Sequence, residues 1–258
     1  MQDGIRLRHF LPAVLRQFDE RMSELIIVVD AAQEEGRIKM LHTSSYEYIP
    51  IEQIKEEITD PRVKFIPLDY EQLDKVSKKW FSMKGINRCQ SGTPVFGFVY
   101  AIEMAVNDVV LRTDCDMIIQ NRGIDDALLH FAKDYDLIQL PWLKDGAFPL
   151  TSRAFGINKT RVMTKLPLRL ARLDLLRLLH RRFMGRPAYL ALEDTLRLNI
   201  QTGKLSSIQL DTTQGRTMHI STRREFRDIG KVIDQFQHGY IPQLQLLEEH
   251  DFQGKFWK

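Results

Sequence analysis

The sequence reads Val109-Val110-Leu111-Arg112-Thr113-Asp114-Cys115-Asp116 at the point that decides the fold. Its β-branched and apolar residues predict a strand over 109–113, and two carboxylates follow that strand directly. Ligands of parallel α/β sheets bind outside the carboxyl ends of strands, and oxygen donors at this spacing suit Mg²⁺ or Mn²⁺. An Asp-x-Asp triplet is also common in solvated turns, so its position after a strand is what favours a metal site.

Strands and helices alternate around this stretch through roughly the first 140 residues. Apolar residues spaced by three and four predict amphipathic helices, and short β-branched runs predict buried strands. The predicted helices are 7–22, 94–106 with Thr93 as its cap, and 124–133; the predicted strands are 25–29, 63–67, 109–113 and 137–140, and the segment through Trp80 and Phe81 reads as mostly polar. This alternation predicts an α/β fold with a mainly parallel, Rossmann-like central sheet flanked by helices.

The pattern changes after Pro141. A short strand-like stretch at 154–157 is followed by a helix rich in leucine and arginine, a helix near 191–200, and strands around Ile208 and 218–221. The chain shows no internal repeat and no linker rich in Pro, Gly or Ser. We therefore expect a single domain over 1–258, in which 141–258 forms a smaller subregion built on 1–140.

The composition restricts the class of protein. The chain has 258 residues, of which 43% are hydrophobic and 28% charged, so it can bury a core and is not a disordered chain. Two cysteines are too few for a disulfide scaffold, and the longest stretch without a charged residue has fourteen residues, which is too short to cross a bilayer. The first residues lack the apolar core of a secretion signal, so we expect a cytoplasmic protein.

One segment carries the positive charge of the chain. Residues 161–186 contain eight basic residues and one acid, a net charge of +7, whereas the rest of the chain carries −4. A core-packing helix with a solvated arginine face is the ordinary explanation of 165–186. The functional alternative is peripheral contact with an anionic membrane, or with an anionic acceptor, through this segment.

Three further residues are candidates for chemistry. Glu193 and Asp194 precede an apolar helical pattern, so they are either a favourable acid pair in the first turn of a helix or a general base. His219 lies in an apolar strand-like context late in the chain. A lone histidine is more often packed or exposed than ligating, but its position makes it a candidate third metal ligand.

These residues, taken in order, resemble nucleotide-sugar glycosyltransferases of the GT-A fold, and among them the inverting, family-2-like group. The resemblance covers about 7–222, and its specificity lies in the order of short motifs. That order is a strand ending at Asp30, a helix and strand leading to Asp114 and Asp116, the Phe155-Gly156-Ile157 stretch, the Glu193-Asp194 pair and the later His219. Such domains normally open with a hydrophobic strand, whereas this chain opens with a helix, so we expect that strand to be absent or supplied by another segment.

The resemblance implies a role for each of these residues. Asp30 would contact the nucleobase, and Asp114 and Asp116 would hold Mn²⁺ or Mg²⁺ on the diphosphate of the donor. His219 would complete the metal site, Asp194 would be the catalytic base, and Glu193 is the alternative base. Arg88 is a candidate contact for a phosphate or the sugar, although a solvated loop arginine is the ordinary case. Residues 1–140 would then be the nucleotide-sugar-binding half and 141–258 the acceptor-binding half.

The expected function is therefore a metal-dependent, inverting, hexosyltransferase-like transfer from a nucleotide-sugar donor. The acceptor would be a saccharide, a lipid-linked or another hydroxyl compound, and no nucleic acid partner is expected. A nucleotidyltransferase is the enzymatic rival, but it usually has a glycine-rich phosphate loop near its first strand, and none is present in the sequence. Two non-catalytic hypotheses compete with these enzymes: a module that binds anionic surfaces or nucleic acid through the arginine-rich helix, and an inactive glycosyltransferase-like scaffold.

Overall fold

Helices and short strands alternate along the chain in the computed structural model, which describes residues 4–18, 21–29, 51–82, 94–114, 117–140, 154–170 and 192–219. The predicted α/β class is confirmed. The helices are α1 (Gly4–Gln17), α2 (Ile51–Glu57), α3 (Tyr70–Phe81), α4 (Pro94–Met104), α5 (Ile124–Phe131), α6 (Lys159–Met163) and α7 (Leu192–Gln201). The strands are β1 (Leu25–Val29), β2 (Val63–Pro67), β3 (Val109–Arg112), β4 (Met117–Asn121), β5 (Leu137–Gln139), β6 (Phe155–Asn158), β7 (Ser207–Gln209) and β8 (Gly215–His219).

Strands β1 and β2 form a parallel pair whose register runs from Leu25 opposite Val63 to Val29 opposite Pro67. The start of β1 is tied to the residues before β3. The Glu24 carboxylate accepts a hydrogen bond from the Val106 backbone at 2.6 Å, and the Asn107 amide donates to the Ser23 hydroxyl at 2.5 Å. These bonds bring the starts of β1 and β3 together, although the two strands belong to different sheets.

Helix α3 lies in the segment through Trp80 and Phe81 that the sequence analysis describes only as mostly polar. A capping box starts it, because the Asp69 carboxylate accepts from the Gln72 backbone at 2.8 Å and the Gln72 side chain accepts from the Asp69 backbone at 2.9 Å. Ser82 ends the helix in the left-handed conformation, with φ of 55°. The buried positions of this helix are few and lie on one face: Leu73, Val76, Ser77, Trp80 and Phe81. The remaining positions are polar, so the helix is amphipathic, with its apolar residues at the helical spacing of three and four.

The central sheet has the strand order β3-β6-β5-β7. Strand β6 is antiparallel to both β3 and β5, while β5 and β7 are parallel. Strands β3, β5 and β7 therefore run in one direction and β6 runs in the opposite one. The sheet is mixed rather than mainly parallel, because the stretch at 155–158 enters between β3 and β5 from the opposite end.

The chain leaves the central sheet after Asp114. Strand β4 pairs antiparallel with β8, from Met117 opposite His219 to Asn121 opposite Gly215. The Asn121 carboxamide then accepts hydrogen bonds from the backbone of Gly123 at 3.1 Å and Ile124 at 2.9 Å, which starts α5. The residues between β3 and β4 thus cross from one sheet to another.

Buried apolar side chains lie on both faces of the central sheet, since successive residues of a strand point to opposite faces. The first core contains Leu137 of β5, and the second core contains its neighbour Ile138. Fully buried members of the first core, mostly from α3 and α4, include Trp80, Phe96, Val99, Ile102 and Phe155. Fully buried members of the second core, from α1, α2, α5 and β5, include Leu11, Ile54, Ile124 and Ile138.

Gly156 lets α5 pack directly on β6. A Cβ atom at this position would lie 2.1 Å from Cδ2 of Leu128 and 3.4 Å from Cβ of Ile138. Carbon atoms in contact are normally about 3.5–4.0 Å apart, so a side chain there would require the Leu128 side chain to move. The Phe155-Gly156-Ile157 stretch therefore combines two buried side chains for the first core with a flat surface toward the second.

Candidate functional site

Asp114 lies where the sequence predicts it, just beyond the carboxyl end of β3. Its side chain is 28% exposed. Arg112 of β3 and Gln139 of β5 are both register partners of Phe155, so β3 and β5 end at the same edge of the central sheet. A carboxylate at this edge of the sheet is thereby confirmed, whereas Cys115 and Asp116 lie outside the described residues.

Arg112 contacts Asp114 directly. Its Nη2 atom donates a hydrogen bond to Asp114 Oδ1. The guanidinium carbon lies 5.6 Å from the centre of the Phe155 ring and 5.9 Å from that of Phe98, within the range of a cation–π contact. The two rings pack edge to face with their centres 5.5 Å apart. Arg112 is a site residue that the sequence pattern does not single out; the only signal is a charged residue at the end of an apolar strand.

Strand pairing places His219 beside Met117. It is the last residue of β8 and the register partner of Met117, the residue that follows Asp116. Residues directly opposite each other in an antiparallel pair have Cα atoms about 4.5–5.5 Å apart. His219, about a hundred residues later in the sequence, therefore lies beside Met117, the third residue after Asp114.

Helix α7 carries Glu193 and Asp194 in its first turn, as predicted. A five-residue connection leads from the end of this helix to Ser207, which pairs with Leu137 at the edge where β5 begins. The C-terminal end of α7 therefore lies toward that edge. Leu196 packs the helix on the first core.

Asn199 fixes the position of α7. Its side-chain amide donates to the Arg169 carbonyl at 2.8 Å and to the Thr195 carbonyl at 2.7 Å, and its side-chain oxygen accepts from the Arg169 backbone at 3.0 Å. The residue is fully buried. These bonds join the helix that bears the acidic pair to the non-helical residues 166–170.

The metal ligands expected from the sequence are only partly visible. Within the described ranges, no group of three or more His, Cys, Asp or Glu side chains could hold a metal ion. Asp116 is outside those ranges, and the backbone alone is described for His219. The donor set itself, two carboxylates and an imidazole, suits Mn²⁺ or Mg²⁺, and the partial exposure of Asp114 leaves a route to solvent. The metal site remains a prediction.

Two further residues, Asp30 and Arg88, are expected from the sequence to contact the donor. Asp30, the candidate for the nucleobase, comes directly after β1 but lies outside the described residues, as does Arg88, the candidate for a phosphate or the sugar. Helix α4 does begin at Pro94, as predicted, a few residues after Arg88. Both roles remain predictions.

The start of the basic segment has a structural role. Helix α6 ends at Met163, and residues 165–170 are not helical, which corrects the prediction of a continuous helix from 165; residues 171–186 lie outside the described ranges. Lys165 Nζ lies 2.5 Å from Oδ2 of the fully buried Asp136, and Arg161 Nε lies 3.3 Å from its Oδ1. Two of the eight basic residues therefore form ion pairs with a buried carboxylate.

Burial by itself would raise the pKa of Asp136. The hydrogen bonds from Lys165 and from the Ser206 backbone and hydroxyl together outweigh burial, so the pKa lies below its usual range. Asp136 precedes β5, at the edge of the central sheet opposite Asp114. This ion-pair cluster is therefore separate from the candidate site.

None of the helices in the described ranges combines the length and apolar character needed to cross a bilayer.

Comparison with known proteins gives no assignment. No protein-family model matches the sequence, and a search of curated proteins finds no match either.

Proposed function

We propose that the chain is a glycosyltransferase of the GT-A fold that moves a sugar from a nucleotide-sugar donor to a hydroxyl acceptor, with inversion and with a divalent metal ion. The observation that carries this proposal is the pairing of β4 with β8. His219 is opposite Met117, which lies three residues after Asp114, so two of the three expected ligands belong to nearby stretches of backbone.

The described elements support the same proposal. Helix α4 leads into β3 and then to Asp114, the Phe155-Gly156-Ile157 stretch forms most of β6, and the Glu193-Asp194 pair begins α7. These are the elements on which the resemblance to glycosyltransferases depends.

The chemistry assigns a task to each residue. When bound by Asp114, Asp116 and His219, the metal ion would stabilise the negative charge of the leaving diphosphate. Asp194 would take the proton from the attacking hydroxyl of the acceptor, on the face of the sugar opposite the leaving group, which gives inversion. Asp30 would bind the nucleobase, Arg88 a phosphate or the sugar, and Glu193 is the alternative base.

Ligand-induced thermal stabilisation tests the binding part of the proposal. We expect UDP or GDP, or a sugar nucleotide of one of them, to raise the unfolding temperature in the presence of Mn²⁺ and to have little effect without it. A ligand at about 100 times its Kd stabilises a protein by about 2.7 kcal/mol. Asp116→Ala should abolish the Mn²⁺-dependent part, whereas Glu52→Ala, an exposed acid on α2, should not. Equal stabilisation of both variants by Mn²⁺ and diphosphate would contradict the metal assignment.

Turnover of the donor tests the catalytic part. We expect Asp194→Asn to lower the rate of diphosphate release by about 10²–10⁴-fold, because a general base contributes about that much, while binding of diphosphate and Mn²⁺ is retained. Glu193→Gln is the matched control and should have a small effect. The reverse pattern would make Glu193 the base. Release of pyrophosphate instead of a nucleoside diphosphate would indicate a nucleotidyltransferase.

A further inference from the structure

Arg112 occupies a position that would ordinarily be apolar. Val109 and Leu111 of β3 pack against the second core, and Arg112 points to the other face, between Phe98 of α4 and Phe155 of β6. Its side chain is 10% exposed. Removing a charge from water costs several kcal/mol unless the protein supplies compensating partners. The two aromatic faces and the Asp114 carboxylate are such partners.

Stability alone does not account for the charge at this position. Replacing both partners of a buried ion pair by apolar side chains of similar volume is often neutral, so such a pair is weak evidence for a stabilising role. Asp114 is itself 28% exposed, so water can solvate it. The two rings and the hydrogen bond to Asp114 Oδ1 hold the guanidinium beside a carboxylate that solvent reaches.

We propose that Arg112 is a positioning residue for Asp114, which orients this carboxylate for a divalent cation through the hydrogen bond from Nη2 to Oδ1. The inference rests on the proposed function, because an oriented carboxylate is useful only if an ion binds there. The rings of Phe98 and Phe155 restrict the guanidinium, and the guanidinium restricts the rotation of the carboxylate. Residues that orient metal ligands typically contribute about 10–100-fold to metal affinity.

Two variants of Arg112 and one matched control test this inference. Arg112→Met keeps the volume and removes the charge and the hydrogen bond, whereas Arg112→Lys keeps the charge without the planar fork. Arg62→Met is the control, because Arg62 pairs with Asp60 two residues away, at 2.7 Å, far from the site in sequence. The Kd of Mn²⁺ is measured by electron paramagnetic resonance of the free ion, with UDP or GDP present, and the unfolding temperature is measured without ligands.

We expect Arg112→Met to weaken Mn²⁺ binding about 10–100-fold, Arg112→Lys to weaken it less, and Arg62→Met to leave it unchanged. Because removing one partner of a buried pair destabilises a protein, the unfolding temperature without ligands should fall in Arg112→Met and should fall less in Arg112→Lys, which keeps the charge. An unchanged Kd in Arg112→Met would overturn the inference, and so would a Kd that changes only in step with lost stability. If Arg112→Met does not fold, the Kd of Arg112→Lys decides by the same criterion.

The outcomes also separate this inference from the proposed function. If the unsubstituted protein binds no Mn²⁺ with either diphosphate, the proposed function and the inference both fail. If Asp116→Ala loses Mn²⁺ binding and neither Arg112 variant changes it, the proposed function stands and the positioning role of Arg112 is refuted.

Discussion

Asp136 and Asp114 are both carboxylates paired with cations, but their surroundings give them different tasks. Asp136 is fully buried at the edge where β5 begins and is held by Lys165, Arg161 and Ser206. Asp114 is partly exposed at the opposite edge and has a guanidinium fixed beside it. The first arrangement joins β5, α6 and β7, and the second leaves a carboxylate accessible to a ligand.

Asp136→Asn should destabilise the protein in a pH-dependent way. The pKa of Asp136 in the folded protein is below its unfolded value, so its ion pairs stabilise the protein above the unfolded pKa of about 3.9 and are lost as the pH falls through the folded pKa. We expect a loss of about 2 kcal/mol at pH 7, since hydrogen bonds to charged groups contribute about 1.5–3 kcal/mol. Urea unfolding between pH 7 and pH 3 measures the difference.

The control is Asp126→Asn, which removes a carboxylate whose pair with Arg21 is on the surface. Exposed ion pairs contribute little, so this variant should unfold like the unsubstituted protein. A difference between Asp136→Asn and the unsubstituted protein that does not shrink at low pH would show that packing, and not the charge of Asp136, stabilises the cluster.

Some of these residues could be predicted from the sequence and others could not. Asp114 was predictable because it directly follows the strand predicted over 109–113. Arg112 was not, because the rings that flank it come from α4 and β6, whose positions relative to β3 depend on the tertiary fold. Asp136 gives no local signal either, since its partners at 161–165 and 206 follow at long sequence separation.

At the scale of elements, periodicity predicts what each segment forms but not which segment it pairs with. Strands β1, β2, β3 and β5 and helices α1, α4 and α5 agree with the predicted positions to within a few residues. Helix α3 was not predicted, because its segment was judged by its mostly polar composition and not by the helical spacing of Leu73, Val76 and Trp80. The pairing of β4 with β8 was not predicted, because the hydrophobic pattern that sets the register of a strand does not identify its partner when the partner is far away in the chain.

A pair of cysteines can test that register. Ile119 and Thr217 are directly opposite each other, so Ile119→Cys with Thr217→Cys should form a disulfide, in a chain with Cys89→Ser and Cys115→Ser. Met117→Cys with Thr217→Cys is offset by two residues, at a diagonal distance of about 7–8 Å, and should remain reduced. Mass spectrometry after alkylation of free thiols measures both. A disulfide in the offset pair alone would separate His219 from Met117 and remove the main support for the metal site.

For the whole molecule, the alternation of strand and helix was sufficient to predict the α/β class. The division into separate sheets and the reversed direction of β6 were not predictable, since both depend on contacts between segments far apart in the chain. The surplus of positive charge in 161–186 was visible in the sequence, but its use was not. Arg161 and Lys165 form ion pairs with the buried Asp136. An anionic partner of this segment would therefore bind the arginines that follow them in the sequence.

The flat surface at Gly156 restricts how this protein can vary. Every other amino acid brings at least one more carbon atom, so a substitution at 156 requires the Leu128 side chain to turn away from β6. A double variant that also shortens the leucine on α5 should therefore be tolerated better than the substitution at 156 alone.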